Sequence, residues 1–298
     1  MSEISLLDGS IGQELVKRAG KAPTPLWSTT VMIDQPDILR DVHAEYFNVG
    51  ASVATTNTYP VLHDRLVRAG LQDQIETLWT QAVKSAQSAR NAHGSGRIAG
   101  SIGPLIASYR PDICPSAAEA EELYRDVVAA LAPHVDVLLI ETMSSVDQAD
   151  GALRAAMKSG LPVWLAVSVE DFDGSKLRSG ENLADLAPVL NRFDTDAILI
   201  NCSRPEAVST AVDIAAQFGR PFGAYANGFT KITQGFLKDA PTVDALQERS
   251  DLSPAAYADF AMGWIDQGAS IVGGCCEVGP GHIAELAARI KAAGHHIV

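Results

Sequence analysis

Short apolar runs rich in β-branched residues alternate with longer amphipathic stretches from one end of the chain to the other. That alternation limits the fold more than any other feature. The runs fall at residues 4–7, 52–56, 97–101, 136–140, 162–169, 196–200, 222–226 and 270–272. They are apolar throughout rather than at every second residue, the pattern of parallel strands covered on both faces. Eight is the number that closes a parallel barrel. The segments between them carry helix punctuation. Ser116-x-x-Glu119 and Ser145-x-x-Gln148 have the spacing of capping boxes, and Ser253-Pro254 sets an N-cap before a proline at the first helical position. Ile38, Val42, Tyr46 and Val49 share one helical face, with Asp37, Arg40, Asp41 and Glu45 off it. No low-complexity tract or linker-like shift divides the chain. The expectation is the α/β class, a single (β/α)8 TIM barrel with residues 1–298 as one domain; a doubly wound open sheet is the competing arrangement.

Composition narrows the partners. Apolar residues make up 47% of the chain, enough to fill a large core. With 23 basic and 36 acidic residues the net charge is −13, which argues against nucleic acid and anionic membrane as partners, since both are polyanions. The longest apolar runs, 161–167 and 137–140, fall far short of the roughly 20 residues of a membrane span. The first eight residues have neither the basic nor the apolar region of a secretory signal. Four cysteines, two of them adjacent, do not read as a disulfide framework. The chain is expected to be cytoplasmic with reduced thiols, and its oligomeric state is not legible.

Unusual polar residues gather where the predicted strands end: Asp8-Gly9-Ser10, Thr56-Asn57-Thr58-Tyr59, Glu141-Thr142, Asn201-Cys202, Asn227-Gly228 and Gly273-Gly274-Cys275-Cys276. Barrel active sites lie at that rim, so residues distant in sequence converge there. Cys202 follows the sixth strand and Cys275–Cys276 the eighth, close enough around a barrel to face one another. A Cys₃ group suits Zn²⁺, with a fourth position left for water or substrate. Three buried cysteines acting as small hydrophobes are the plainer alternative.

These motifs resemble those of the homocysteine S-methyltransferase family. The family's opening Asp-Gly-Gly-x-x-x-x-x-Leu resembles Asp8 to Leu15, and its Thr-Asn-Thr-Tyr matches residues 56–59. Glu141-Thr142, Asn201-Cys202 and the run from Gly273 through Pro280, His282 and Ile283 match in the same order along nearly the whole chain. The resemblance implies a (β/α)8 barrel, one zinc per chain on Cys202, Cys275 and Cys276, and methyl transfer to the thiol of homocysteine, giving methionine. It implies that Glu141 binds the substrate ammonium, which the helix N-terminal position of that carboxylate could also explain. Three residues depart from the pattern: Ser10 stands where a second Gly is usual, Gln13 where Thr is common, and Glu277 opens a segment that is frequently Gly-Thr-x. A carboxylate beside zinc thiolates would perturb the site unless it points outward.

The chemistry accounts for the metal independently. A thiol with a pKa near 8.5 is mostly protonated at neutral pH, and its thiolate is the nucleophile. Zinc stabilises the thiolate form, while three anionic ligands keep that sulfur electron-rich. Asp8 with the Gly9–Gly12 loop could hold the amino-acid group, and Asn57, Asn201 and Asn227 could orient ligands or brace loops. Trp27, Tyr59, Tyr109, Tyr225 and Phe229 could face a cationic donor, with core packing the safer reading for each. No His-x-His at a strand end, Gly-x-Ser-x-Gly, P-loop or Rossmann fingerprint is present. His282 reads as structural, His295-His296 as a solvated tail and Cys114 as a bystander. Residues 228–251, without a clear element, could be a lid or an inconsequential excursion.

The partners expected are thus a small-molecule thiol and a small cationic methyl donor. One barrel takes up the whole chain, leaving no room for the further domains of folate- and cobalamin-dependent relatives. S-methylmethionine is the first choice, with S-adenosylmethionine or a betaine-type donor behind it, and selenocysteine or another thiol as alternative acceptor. A zinc hydrolase or lyase and a non-catalytic zinc-binding barrel are the readings from other classes.

Overall fold

The computed structural model describes residues 2–20, 26, 28–238 and 245–298. Eight parallel strands form its centre: β1 (Glu3–Leu6), β2 (Val53–Thr55), β3 (Arg97–Ile102), β4 (Val137–Met143), β5 (Val163–Val167), β6 (Ala197–Asn201), β7 (Phe222–Tyr225) and β8 (Ile271–Val272). Each overlaps one of the runs read from the sequence. Strands β2 to β8 pair in chain order, and β8 pairs with β1. A parallel bridge between Leu7 and Val53, with Ser52 N–H on Leu6 O (2.8 Å) and Asp8 N–H on Val53 O (3.0 Å), closes β1 onto β2. The sheet is therefore a barrel rather than the doubly wound alternative.

Helices follow the strands and cover the sheet: α1 (Ile11–Ala19), α2 (Ser28–Asp34) and α3 (Pro36–Asn48) after β1, α4 (His63–Val67) and α5 (Ile75–His93) after β2. Then come α6 (Ala117–Leu131), α7 (Val146–Ala156), α8 (Ala187–Arg192), α9 (Pro205–Ala215), α10 (Pro254–Asp266) and α11 (Pro280–Ala292), one after each later strand. The predicted caps recur with one change. Ser116 and Glu119 form a reciprocal box, and Ser253 Oγ accepts from Ala256 N–H. Ser145 Oγ accepts from Gln148 N–H, but Gln148 Oε1 reaches Ser144 N–H (2.7 Å) instead of closing the box. Among the described residues no helix is long and apolar enough to cross a membrane.

Two apolar layers follow from strand parity. Leu138 and Ile140 face the helices, whereas Leu139 joins Leu7, Val53, Ala99, Ala166, Leu199 and Ile271 inside the barrel. Stepping two residues up an inward face leads from Leu139 to Glu141, from Ala99 to Ser101 and from Val53 to Thr55. The parity that fills the core thus aims these polar side chains at its C-terminal mouth.

The C-terminus differs from expectation. His296–Ile297 form a ninth strand, β9, parallel to Glu3–Ile4 of β1, and His295 Nδ1 lies 2.7 Å from Ser2 Oγ. An edge of β1 left open below the barrel closure offers free backbone groups, and the tail pairs with them through its backbone while the His296 side chain stays exposed, as read from the sequence.

Candidate active site

The mouth of the barrel is a cavity lined by the first loop (Leu7 to Gln13), by Thr55, Asn57, Tyr59, Ser101, Tyr109, Glu141 and Tyr225, and by the three rim cysteines. Glu141 is buried, with Ser101 Oγ donating to Oε1 and Tyr225 Oη to Oε2 (3.0 Å). Asp8 is buried as well, its carboxylate accepting from Thr55 N–H (2.6 Å) and Thr55 Oγ1 (2.7 Å). Burial pushes the Glu141 carboxyl up to about 6 and the Asp8 carboxyl up to about 8, the latter helped by the charge of Glu141. Among the described residues, no Lys, Arg or His lines this cavity. Two buried carboxylates without a cationic side chain make a site for a cationic ligand group.

The cysteines converge as the strand positions predict. Their sulfur atoms all lie within 4.8 Å of one another, with Cys275 and Cys276 Sγ 4.0 Å apart. In a tetrahedral site with Zn–S near 2.3 Å, neighbouring sulfurs stand about 3.8 Å apart. The donor set, three soft sulfurs and no competing imidazole, therefore fits zinc. Burial pushes the Cys276 thiol up to about 12, so this surrounding favours a thiolate only with a cation beside it. The expectation of reduced thiols is corrected here, because Cys202 and Cys275 are joined by a disulfide. Their Cα atoms are 5.7 Å apart, an ordinary separation for a bridge. Two cysteines close enough to share an ion are also placed to bond to each other. Cys114 stands apart from the group and is free, as read from the sequence.

The first and last loops pack back to back without side chains between them. A Cβ on Gly9 would meet Val278 O at 2.1 Å, and one on Gly273 would meet Leu7 Cβ at 2.4 Å. Ser10 N–H donates to Val278 O (3.0 Å) and Gly274 N–H to Asp8 O (3.0 Å). Glu277 points away from the sulfurs toward α1, where its carboxylate meets Gln13 Nε2 and Lys17 Nζ (2.7 Å). His282 joins Gly279 N–H to Leu252 O through its two ring nitrogens, a structural role.

Several candidates take other places. Asn57 lines the cavity but is tied to Ser28 Oγ (2.7 Å). Asn201 does not line it; its amide accepts from Thr142 N–H and donates to Thr142 Oγ1, both at 3.0 Å. Among the described residues, Thr142 is one of five non-glycine residues with positive φ, and Tyr109, Cys202 and Glu277 are three of the others. Such backbone strain collects at functional sites, and Asn201 holds the strained residue that follows Glu141. Asn227 caps Phe229 N–H (3.1 Å) and also lies off the lining. Tyr59, Tyr109 and Tyr225 line the cavity, Phe229 is buried elsewhere, and Trp27 lies outside the described residues.

The segment 228–251, of which 239–244 lie outside the described residues, closes over the cysteines. Buried Phe236 packs on Tyr109 with ring centroids 5.9 Å apart and belongs to the apolar cluster holding Cys202. Asp171 fastens the segment by accepting from Ile232 N–H (2.8 Å), and it is paired with Arg178 (2.7 Å), whose guanidinium lies over the Tyr109 ring. Arg110 donates to Leu237 O. Phe236 was not anticipated; a lone aromatic in a segment without periodicity gives no signal of which wall it joins.

Comparisons with known proteins agree with this geometry. A family model described as homocysteine S-methyltransferase matches residues 5–290. The chain is 29% identical to a homocysteine S-methyltransferase of Escherichia coli (strain K12), over 96% of this chain and 95% of that protein. It is 27% identical to a homocysteine S-methyltransferase of Bacillus subtilis (strain 168), over 95% and 93%. Its fold matches the crystal structure of the metallated form of the homocysteine methyltransferase from Escherichia coli with a TM-score of 0.81 and 26% identity, covering 96% of both chains. The oxidized form of that enzyme matches with the same TM-score.

Proposed function

The chain belongs to the homocysteine S-methyltransferase family, and on that premise we propose that it methylates homocysteine from S-methylmethionine at a zinc ion held by Cys202, Cys275 and Cys276. One ion serves each chain, residues 1–298 work as one homocysteine-binding barrel, and the reaction belongs to the cytoplasm. The observation that carries the reading is the meeting of three sulfurs within 4.8 Å beside a cavity lined by Asp8 and Glu141.

Each part of the acceptor has a counterpart. The ammonium pairs with Glu141 and Asp8, whose buried carboxylates gain a partner that their surroundings withhold. The carboxylate is assigned to the N–H groups of Ile11, Gly12 and Gln13, because the first N–H groups of α1 have no intrahelical acceptor and the helix dipole favours an anion there. Ser101 and Tyr225 orient Glu141 by donating to it, and Thr55 does so for Asp8. Bound by the three thiolates, zinc supplies the acidity that lowers the pKa of the acceptor thiol.

Methyl transfer then needs alignment more than further chemistry. The acceptor sulfur forms a bond to the methyl carbon as the bond from that carbon to the donor sulfonium breaks, and the donor leaves as a thioether. With S-methylmethionine the products are two methionines, and the acceptor's thiol proton is released. A sulfonium is favoured over a quaternary ammonium because a thioether is the better leaving group. Tyr59, Tyr109 and Phe236 supply aromatic wall for a cationic donor, and Phe236 with its segment keeps water from the reacting sulfur.

The test is formation of methionine by purified, zinc-loaded protein from homocysteine and S-methylmethionine, with S-adenosylmethionine and betaine as parallel donors and selenocysteine as a parallel acceptor. Transfer with S-methylmethionine and nothing further is the expected result. A requirement for methylfolate and a cobalamin protein overturns the donor assignment, and thiol-independent hydrolysis overturns the reaction class.

A further inference from the structure

Ser10, Gln13 and Glu277 form one hydrogen-bonded group, although Gln13 and Glu277 are 264 residues apart in the chain. Gln13 Oε1 accepts from Glu277 N–H (2.6 Å) and from Ser10 Oγ (2.8 Å), while Gln13 Nε2 donates to the Glu277 carboxylate. The other carboxylate oxygen of Glu277 meets Lys17 Nζ at 2.7 Å. Gln13 is buried. From the opposite side Gly228 N–H donates to Cys276 O (2.7 Å), and a Cβ on Gly228 would stand 2.9 Å from Glu277 Cβ. Both polar atoms of the peptide bond between Cys276 and Glu277 are therefore held, one from the β7 loop and one from α1.

Glu277 needs that hold. Its φ is 62°, in the left-handed region that glycine enters freely and a side chain does not. At a position where glycine would sit without strain, this chain has a glutamate, next to the last of the three cysteines.

We propose that Gln13 is a positioning residue for Cys276: it holds the strained Cys276–Glu277 peptide, turns the Glu277 carboxylate away from the sulfurs, and so presets the thiol set for the metal. This rests on the zinc reading above and names the part of this chain that adapts the site to its own sequence. The dependence is conditional, which separates it from general stabilisation. Gln13 matters to the metal because residue 277 is not glycine.

The experiment measures zinc affinity of the reduced protein by competition with a chromophoric chelator, with the d–d spectrum of the cobalt(II)-substituted protein alongside. Gln13→Met keeps the length and removes the hydrogen bonds; it should weaken zinc binding about 10- to 100-fold, the size usual for loss of a partner that orients a metal ligand. Adding Glu277→Gly to Gln13→Met should restore most of that affinity, because glycine adopts the same φ unaided and brings no carboxylate. Should Gln13→Met alone fail to fold, as far-UV circular dichroism will reveal, the comparison of Glu277→Gly with the double variant decides. Their zinc affinities are expected to agree within about threefold, the coupling having been removed. Unchanged affinity and cobalt spectrum in Gln13→Met, or a double variant that does not recover, overturns the proposal alone. A reduced wild-type protein that takes up no zinc overturns the metal reading beneath it.

Discussion

Glu141 shows how one side chain can be read from sequence in kind but not in full. A carboxylate ending a strongly apolar strand stands out, and strand parity places it inside the barrel. That Ser101 and Tyr225 would orient it was not legible, since those contacts span 40 and 84 residues. Under the proposed function, Glu141→Gln removes the charge and keeps the shape. The KM for homocysteine should rise by an amount equivalent to about 1.5–3 kcal/mol, the worth of a charge-assisted hydrogen bond, with zinc content unchanged. An unaltered KM would assign Glu141 to structure. The pH dependence has a defined sign. The Glu141 carboxyl is raised from 4.5 to about 6 in the native state, so the unfolded chain ionises first and Glu141 costs stability as pH rises through that window. Thermal midpoints of ligand-free Glu141→Gln should therefore gain on wild type between about pH 4.5 and pH 7. A bound ammonium uses the ionised form, so methionine, which has no thiol to confuse the titration, should bind more tightly to wild type as pH rises through 6. A midpoint difference that stays flat with pH would contradict the burial argument. Alanine at Cys202, Cys275 or Cys276 should each abolish transfer and weaken zinc retention, and Cys114→Ala should do neither, as metal analysis and the methionine assay will show.

Among the elements, strands were the most legible. Covered parallel strands must be apolar throughout, so β4, β5 and β6 appear as unbroken runs, and even the two-residue β8 is marked by the glycines that follow it. The tail strand β9 was missed because pairing with β1 depends on an open edge that only the closed barrel reveals. Segment 228–251 was recognisable as an excursion at the right rim, but its attachment to Asp171 and Tyr109 was not. Those contacts make it testable. Asp171→Ala removes the acceptor for Ile232 N–H and the partner of Arg178. It should raise the KM for the methyl donor several-fold and lower kcat, while methionine affinity and zinc content hold. Phe236→Ala should act in the same direction and more strongly, as a buried aromatic truncation removes about 3–5 kcal/mol of packing in a well-filled site. Equal donor kinetics in both variants would make the segment a bystander.

At the scale of the whole molecule, the fold and the proposed zinc site are supported by different parts of the chain. The core between sheet and helices and the layer inside the barrel are large and apolar and do not involve the three rim cysteines, apart from Cys275 at the edge of the inner layer. Chelation of zinc should thus leave the far-UV circular dichroism spectrum unchanged, unlike a zinc finger, whose fold is its metal site. The disulfide between Cys202 and Cys275 uses two of the three sulfurs of the proposed zinc site, so protein handled without a reductant should carry less zinc than protein kept reduced. The central claim is that these sulfurs hold one zinc ion whose remaining position receives the acceptor thiol. X-ray absorption at the zinc edge tests it most directly, with reduced, zinc-loaded protein measured before and after homocysteine is added. The expected result is three sulfur neighbours at about 2.3 Å, rising to four with homocysteine. A sulfur count that stays the same on adding homocysteine, or a first shell built from nitrogen and oxygen, would contradict the account.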